Sequence, residues 1–318
     1  MKRRINFRIG QVLTAFAIIV TLSCKDNNPN KGKEMALNSE MGDAPVKAPT
    51  KKLSPEFKDY WYAGEAEITS YNLSQPRYGQ LREGKAVTIF VTEPFAAKTQ
   101  VKADNHDASN IPVLKLNTTK NYLTGIYPYS IMTSAFYPLN GDTKAQKVTF
   151  STQEWCGQVY AQVNNREQME VMSHSYFETE GDQDFAMDHA ILENELWNRI
   201  RVDPENLPLG KSMSVPALEY IRLSHKEFKA YAVDFSLDKN GGLSTYTITY
   251  PKLKRTLKIT FGTTFPHTIE GWTETFVSGY GENAQEMTST ATKIATLKSP
   301  YWQQNSNEYI SLRDSLGL

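Results

Sequence analysis

The chain has 318 residues, and its 35 Lys and Arg balance 35 Asp and Glu, so the composition lacks the basic excess of a nucleic-acid-binding surface. Two cysteines in that length exclude a disulfide framework. Stability must come from a buried core, for which the chain is long enough.

Residues 1–23 predict a signal peptide. Lys2, Arg3, Arg4 and Arg8 precede the 11-residue apolar run Val12 to Leu22, and no acidic residue occurs before Asp26. A membrane-spanning helix needs roughly 20 apolar residues, so this run has the length of a signal core instead. It ends in Thr21-Leu22-Ser23-Cys24, which resembles a bacterial lipobox and implies cleavage before Cys24 and acylation of its thiol. Each buried methylene contributes ~0.8 kcal/mol, so the two or three chains of a bacterial lipoprotein anchor it stably. Removal of residues 1–23 leaves 31 basic against 35 acidic residues, which gives no attraction to anionic lipid. The expected address is the cell envelope, lipid-anchored at the outer membrane, with the protein facing the periplasm or the surface.

Residues 24–55 read as the lipidated Cys24 and a flexible tether, with prolines at 29, 45, 49 and 55 and few large apolar side chains. From residue 56 on, short runs of aromatic and β-branched residues alternate with turn residues. The expected fold is mainly β: an antiparallel sheet, curved, open-barrel or sandwich-like, with one central and one C-terminal helix. One continuous sheet and two halves, 56–205 and 206–318, both fit this pattern.

In chain order, Val87, Ile89 and Val91 share one face of a strand over 86–93. In "QEWCGQVYAQVNN" (153–165), a regular strand puts Trp155, Gly157, Val159, Ala161 and Val163 on an apolar face. Glu154, Cys156, Gln158, Tyr160 and Gln162 then take the polar face. Asp182 or Asp184 caps the predicted central helix, Phe185, Leu192, Leu196 and Ile200 give it an apolar stripe, and Pro204 and Pro208 end it. Asn240-Gly241-Gly242 predicts a hairpin turn. A terminal helix is expected over roughly 301–316.

Few motifs carry chemistry. The five histidines stand at 106, 174, 189, 225 and 267, with no pair at metal-ligand spacing, so neither a metal nor another cofactor is expected. There is no phosphate-cradling glycine loop and no Gly-x-Ser-x-Gly elbow. Cys156 is expected to be a small packed hydrophobe, with a bulge at Gly157 turning it inward. The alternative is a nucleophile with Glu154 beside it and His174 approaching from a neighbouring strand. Glu65, Glu67, Glu83, Glu154 and Glu178 could supply a carboxylate pair for glycoside hydrolysis. Tyr60, Trp61, Tyr62, Tyr127 and Tyr129 are candidates for core packing or for an aromatic groove.

The segments "YWYAGEAEITSY" (60–71), "RYGQLREGKAVTIFVTEPF" (77–95), "TGIYPYSIMTSAFYPL" (124–139), "QEWCGQVYAQVNNR" (153–166) and "ENELWNRIR" (193–201) resemble a set of Bacteroidota envelope lipoproteins of unknown function. Such chains often carry the label septum formation inhibitor Maf. True Maf proteins look like cytosolic nucleotide pyrophosphatases with a Ser-x-Ser-Pro-Arg-Arg loop. The nearest string here, Ser74-Gln75-Pro76-Arg77, lacks the first serine and has Tyr78 in place of the second arginine.

Together these readings imply a membrane-anchored envelope protein that binds a partner protein or an amphiphilic or glycan ligand, and no nucleic acid. Arg77, Tyr78, Tyr127, Tyr129, Gln158 and Tyr160 are the candidate ligand-binding residues. The alternative is an envelope hydrolase using a carboxylate pair or Cys156.

Overall fold

The structure, a computed structural model, describes residues 53–141 and 143–318. The signal segment, Cys24 and the tether as far as Lys52 lie outside the described residues. Helix α1 (Pro55–Trp61) comes first, with Ser54 as its cap: the Ser54 hydroxyl accepts from the Phe57 amide at 3.0 Å, and Pro55 fills the first helical position. The first arm of the sheet follows: β1 (Ala66–Arg77), β2 (Gln80–Ala96), the two-residue β3 (Val101–Lys102), β4 (Asn110–Thr124), β5 (Tyr127–Pro138), β6 (Lys147–Glu154), β7 (Gly157–Asn165), β8 (Met169–Ser175) and β9 (Gln183–Met187). Then come β10 (Ile191–Leu192) and helix α2 (Glu193–Val202). The second arm holds β11 (Gly210–Val215), helix α3 (Leu218–Leu223), β12 (Tyr231–Asn240), β13 (Leu243–Tyr250), β14 (Arg255–Gly262), β15 (Ile269–Ser278) and β16 (Gln285–Ser299). Helix α4 (Leu312–Ser315) closes the described chain.

All sixteen strands belong to one sheet, ordered β10-β11-β12-β13-β14-β15-β16-β1-β2-β4-β5-β6-β7-β8-β9, with β3 beside β2. Every pairing is antiparallel except β10 with β11. The first and last strands therefore meet at the middle of the sheet, where β1 lies between β2 and β16. Its two edges, β9 and β10, are separated by residues 188–190 only. Four residue steps reach at most about 14 Å, whereas fifteen strands laid flat would span about 67 Å. The connection forces the sheet to curl until its edges face each other. The result is an open barrel, mainly β, closed at one seam without a ladder.

Alternation sorts the side chains. Leu114 and Leu116 on β4, Ile131 and Ala135 on β5, Val159, Ala161 and Val163 on β7, and Leu257 and Ile259 on β14 all point to the enclosed core. Val87, Ile89 and Val91 take the outer face of β2 instead. There Leu316 and Leu318 cover them in a small satellite cluster. The hairpin at Asn240 forms as predicted, with Asn240 facing Leu243 across a Gly241-Gly242 turn.

Two helical expectations are corrected. Residues 183–187 form β9, because Phe185 pairs with Val171 and Met187 with Met169, so neither Asp182 nor Asp184 caps the central helix. That helix starts at Glu193 after Leu192, with Leu196 and Ile200 buried as expected. The region 301–316 holds only 3-10 turns at 301–303 and 307–309 before α4. The intervening Gln303-Gln304-Asn305-Ser306-Asn307 run supplies side chains that compete with helical backbone bonds.

Helix α2 lies inside the barrel, where Glu193, Asn194, Glu195, Asn198 and Arg201 are buried along with its leucine and isoleucine. Burial of such groups is tolerated only when each has a partner. Arg255 donates to both oxygens of Glu193 at 2.5 and 2.6 Å. Arg201 donates to both oxygens of Glu67 at 2.6 and 2.7 Å. Glu195 accepts from the Ala145 amide at 2.8 Å, and the Asn198 amide group donates to the Leu114 carbonyl at 2.8 Å. At the base, Tyr60 on α1 adds a hydroxyl to Glu67 at 2.5 Å, and Arg201 stacks 5.0 Å over Trp61 and 4.7 Å over Phe90.

Burial alone pushes the Glu67 carboxyl up, but the Arg201 guanidinium and the Tyr60 hydroxyl outweigh it and hold it below the ordinary carboxylate value. Arg201→Ala leaves Glu67 buried and unpaired, and is expected to cost about 3–5 kcal/mol in urea unfolding. The double variant Glu67→Leu/Arg201→Met should recover most of that loss. Because the folded value is depressed, the Glu67 contribution is complete above the ordinary value of 4.5 and disappears as pH falls through the folded value. Stability measured against pH should therefore decline on the acid side of 4.5, and less steeply in the double variant.

Candidate functional site

A cavity of about 230 Å³ occupies the barrel beyond the N-terminal end of α2. Its walls are Trp197 from α2, Tyr220 and Leu223 from α3, and Leu116, Leu257, Trp272 and Phe276 from the sheet. Trp197 and Trp272 meet edge to face at 5.2 Å. Five ionisable groups share this space, four of them buried and Glu219 half-buried. Lys120 lies 2.9 Å from Glu219, and Arg255 bridges Glu193 to Glu274, the latter at 2.6 Å. Lys120, Arg255 and Glu274 stand in the inward phase of their strands, in series with Leu116, Leu257 and Trp272.

These charges hold one another in place. Burial alone would strip the Lys120 proton, but Glu219 and Glu274 outweigh it and keep the ammonium charged. Burial alone would likewise protonate Glu274, and Arg255 with Lys120 holds it ionised.

The mouth is built by the β1–β2 turn, the end of α3 and the β15–β16 connection. Tyr78 and Gly79 form the two-residue β1–β2 turn with φ of 56° and 72°, the left-handed pair that a tight hairpin requires. Glycine suits such a position and a tyrosine rarely takes it. Here the Tyr78 ring is used: its hydroxyl lies 2.8 Å from that of Tyr129, and the Arg77 guanidinium sits 4.3 Å over the ring. Arg77 also donates to the Tyr129 hydroxyl from Nε and Nη2 at 3.2 and 3.1 Å, and from Nη1 to the Leu223 carbonyl at 2.8 Å. Tyr129 stacks on Tyr122 at 5.1 Å, and Tyr127 lies 6.0 Å from Tyr129. Four of the six sequence-predicted ligand-binding residues, Arg77, Tyr78, Tyr127 and Tyr129, are thus brought together. Loops at this end carry exposed apolar groups, among them Ile126, Trp155, Tyr176 and Tyr280.

Gln158 and Tyr160 point to the outer face of β7. With His174 and Tyr176 they line a shallow polar hollow away from the cavity. The parity predicted for Val159, Ala161 and Val163 holds, but Trp155 and Cys156 are not in a strand. They form the two-residue turn between Glu154 and Gly157. The expected packed Cys156 is corrected: its side chain is exposed. The Cys156 amide donates to Glu154 at 2.7 Å, and the same carboxylate pushes the thiol above its ordinary value. His174 pairs with Tyr160, four residues along the strand and so roughly 13 Å from the turn. It faces Asp182 at 3.4 Å instead.

The predicted carboxylates are dispersed. Glu67 is locked at the base, Glu83 and Glu178 are exposed, Glu154 caps the turn, and Glu65 sits beside the base. Tyr60 and Trp61 pack the base, and Tyr62 is exposed. The carboxylates that do converge, Glu193, Glu219 and Glu274, were missed, as were Lys120, Arg255 and both cavity tryptophans. Among the described residues, no three His, Cys, Asp or Glu side chains form a metal-sized cluster.

Native Cys156 should react with a maleimide without unfolding, and Cys156→Ser should leave the melting temperature unchanged. Glu154→Gln should accelerate labelling near neutral pH, because loss of the carboxylate lowers the thiol pKa and raises the thiolate fraction. Protection of the native thiol would show that the turn is covered.

No family model matches the chain, and no curated protein matches it. Among solved structures, a crystal structure of a β-barrel-like protein of a domain of unknown function from Brucella abortus is similar. It has a TM-score of 0.43 and 9% identity, covering 73% of this chain and 97% of that one.

Proposed function

We propose that this protein is a lipid-anchored envelope protein that holds a small amphiphilic or glycan ligand in the cavity of its open barrel. The observation that carries this reading is a cavity with aromatic and aliphatic walls whose inner ionisable groups, Lys120, Glu219, Arg255, Glu193 and Glu274, are already paired with one another. At about 230 Å³ it is smaller than the ~300–1,000 Å³ of drug-sized pockets, so it suits a sugar ring or a short chain and not a whole phospholipid. Trp197 and Trp272 offer ring faces and edges for such a ligand, and the exposed apolar groups at the mouth suit an amphiphile's approach.

A hydrolase reading draws on the three carboxylates in the cavity. General acid catalysis needs one carboxyl that keeps its proton near neutral pH. Glu274 is held low by Arg255 and Lys120, Glu193 is gripped at both oxygens by Arg255, and Glu219 is bonded to Lys120. This arrangement favours binding over bond cleavage.

Titration with octyl glucoside, followed by tryptophan fluorescence and calorimetry, should show saturable binding. Thr133→Phe, which puts a ring into the cavity, should weaken it at least tenfold without loss of the folded state. Unchanged affinity in that variant would remove the cavity as the site.

The lipid anchor is tested separately. Cys24→Ser should move the protein from the membrane fraction to the soluble fraction, and retention after a high-salt wash would refute anchoring through Cys24.

A further inference from the structure

The most deeply buried cations of this barrel are neutralised. Lys120, Arg201 and Arg255 each have a carboxylate within 2.5–2.9 Å, as do Lys115 on the outer face of β4 and Arg222 near the end of α3. Arg77, half-buried at the cavity mouth, has none. Its four hydrogen bonds go to the Tyr129 hydroxyl twice, the Tyr78 hydroxyl and the Leu223 carbonyl, all neutral acceptors. A guanidinium offers five N–H groups, so one remains.

The hydroxyls around it can be assigned by counting lone pairs. The Tyr129 oxygen accepts from Nε and Nη2 of Arg77, which uses both of its lone pairs. Its hydrogen must therefore point to the Tyr78 oxygen, 2.8 Å away. The Tyr78 oxygen then accepts from Tyr129 and from Nη2 of Arg77, and it too is full. What remains at the half-exposed Tyr78 is its O–H, a donor that can point outward or to the Tyr127 hydroxyl beside it. The outward side of the cluster thus offers the remaining Arg77 N–H and the Tyr78 O–H around a positive charge with no carboxylate partner, with the Tyr127 hydroxyl beside them. Two further cations stand nearby without a carboxylate partner. Lys226 is exposed on the cavity rim, and Arg82, opposite Gln75 in the same hairpin, has a buried Nε with no acceptor.

We propose that the ligand carries an anionic group, a carboxylate or a phosphate, which docks on Arg77 and the Tyr78 hydroxyl at the mouth while its apolar or sugar body enters the cavity. This inference rests on the cavity being a binding site and specifies the chemistry of its occupant. Charge-assisted bonds from a fixed guanidinium are about twice as strong as neutral ones, so the anion contributes both affinity and orientation.

The experiment compares octyl phosphate, octyl glucoside, octylammonium and inorganic phosphate on the full chain by calorimetry. Octyl phosphate is expected to bind at least tenfold more tightly than octyl glucoside, and octylammonium most weakly. Arg77→Gln should collapse the difference between the phosphate and the glucoside. Tyr78→Phe keeps the ring and removes the free donor, and should reduce that difference about threefold or more. It serves as the second variant should Arg77→Gln melt early. Inorganic phosphate bound as tightly as octyl phosphate would support the anion site and identify a free anion as its occupant. Equal binding of octyl phosphate and octyl glucoside would overturn the anionic assignment while leaving the cavity a binding site. Failure of every octyl compound to bind would overturn both.

Discussion

The architecture depends on two bidentate guanidinium–carboxylate pairs that fix one short helix inside a curled sheet. Arg255 grips Glu193 at the start of α2, and Glu67 grips Arg201 near its end. Neither pair is a surface ornament, since all four side chains are 1% exposed. The attraction within a buried pair roughly offsets the desolvation of its members, so such pairs add little net stability but penalise any arrangement that separates them. Here they define where the helix sits and how it is rotated. Glu67 comes from the first strand and Arg255 from the fourteenth, so the helix ties the middle of the sheet to its second arm.

That placement explains why the cavity lies toward the mouth of the barrel. α2 is ten residues long and spans about 15 Å. β1 runs from Glu67 at the base to Arg77 at the mouth, about 33 Å of extended chain. The helix and the α1 aromatics fill the lower part of the barrel. Small and hydroxylated side chains continue the inner face above them, among them Ala135, Thr118 and Thr133, and α3 covers the remainder incompletely. Gly84 adds a close approach at that level: a Cβ there would stand 2.2 Å from the Asn121 carbonyl oxygen, so β2 and β4 meet as they do only because the residue is glycine.

Much of the sheet was readable from alternation, because strands with one enclosed face must repeat every second residue. Asn240-Gly241-Gly242 and the run Val159, Ala161, Val163 are clear instances. The central helix was readable only in part. A pattern search expects one wet and one dry face, but α2 buries polar and apolar side chains alike, and its Glu193, Asn194, Glu195 and Arg201 groups bond inside the protein. Phe185 happened to continue the helical spacing of Leu192, Leu196 and Ile200, yet its pairing with Val171 decided its structure. Trp155-Cys156 looked like strand because both types suit one, and nothing local announced a turn. The cavity charges did leave a trace. Lys120, Arg255 and Glu274 each interrupt the apolar phase of an otherwise regular strand, and a charge in that phase has to find a buried partner. The partners come from other elements, which single-strand reading does not connect.

The seam between β9 and β10 completes the mechanical picture. No ladder joins these edges, and side chains span the neighbourhood instead. Glu180, in the β8–β9 connection, accepts from Arg222 at 2.9 Å and lies 2.7 Å from His225, both at the end of α3. Tyr280 from the β15–β16 connection packs on His225 at 6.0 Å. Side-chain contacts of this kind open more readily than a run of backbone bonds. The barrel is thus most firmly determined at the base, where α1, α2 and the Arg201–Glu67 pair interlock. It is least firmly determined at the mouth, where three connections meet around Arg77. A site that must admit and release a ligand gains from that gradient, because the walls that shape the cavity are fixed from below while the elements that cover it are held only at their edges.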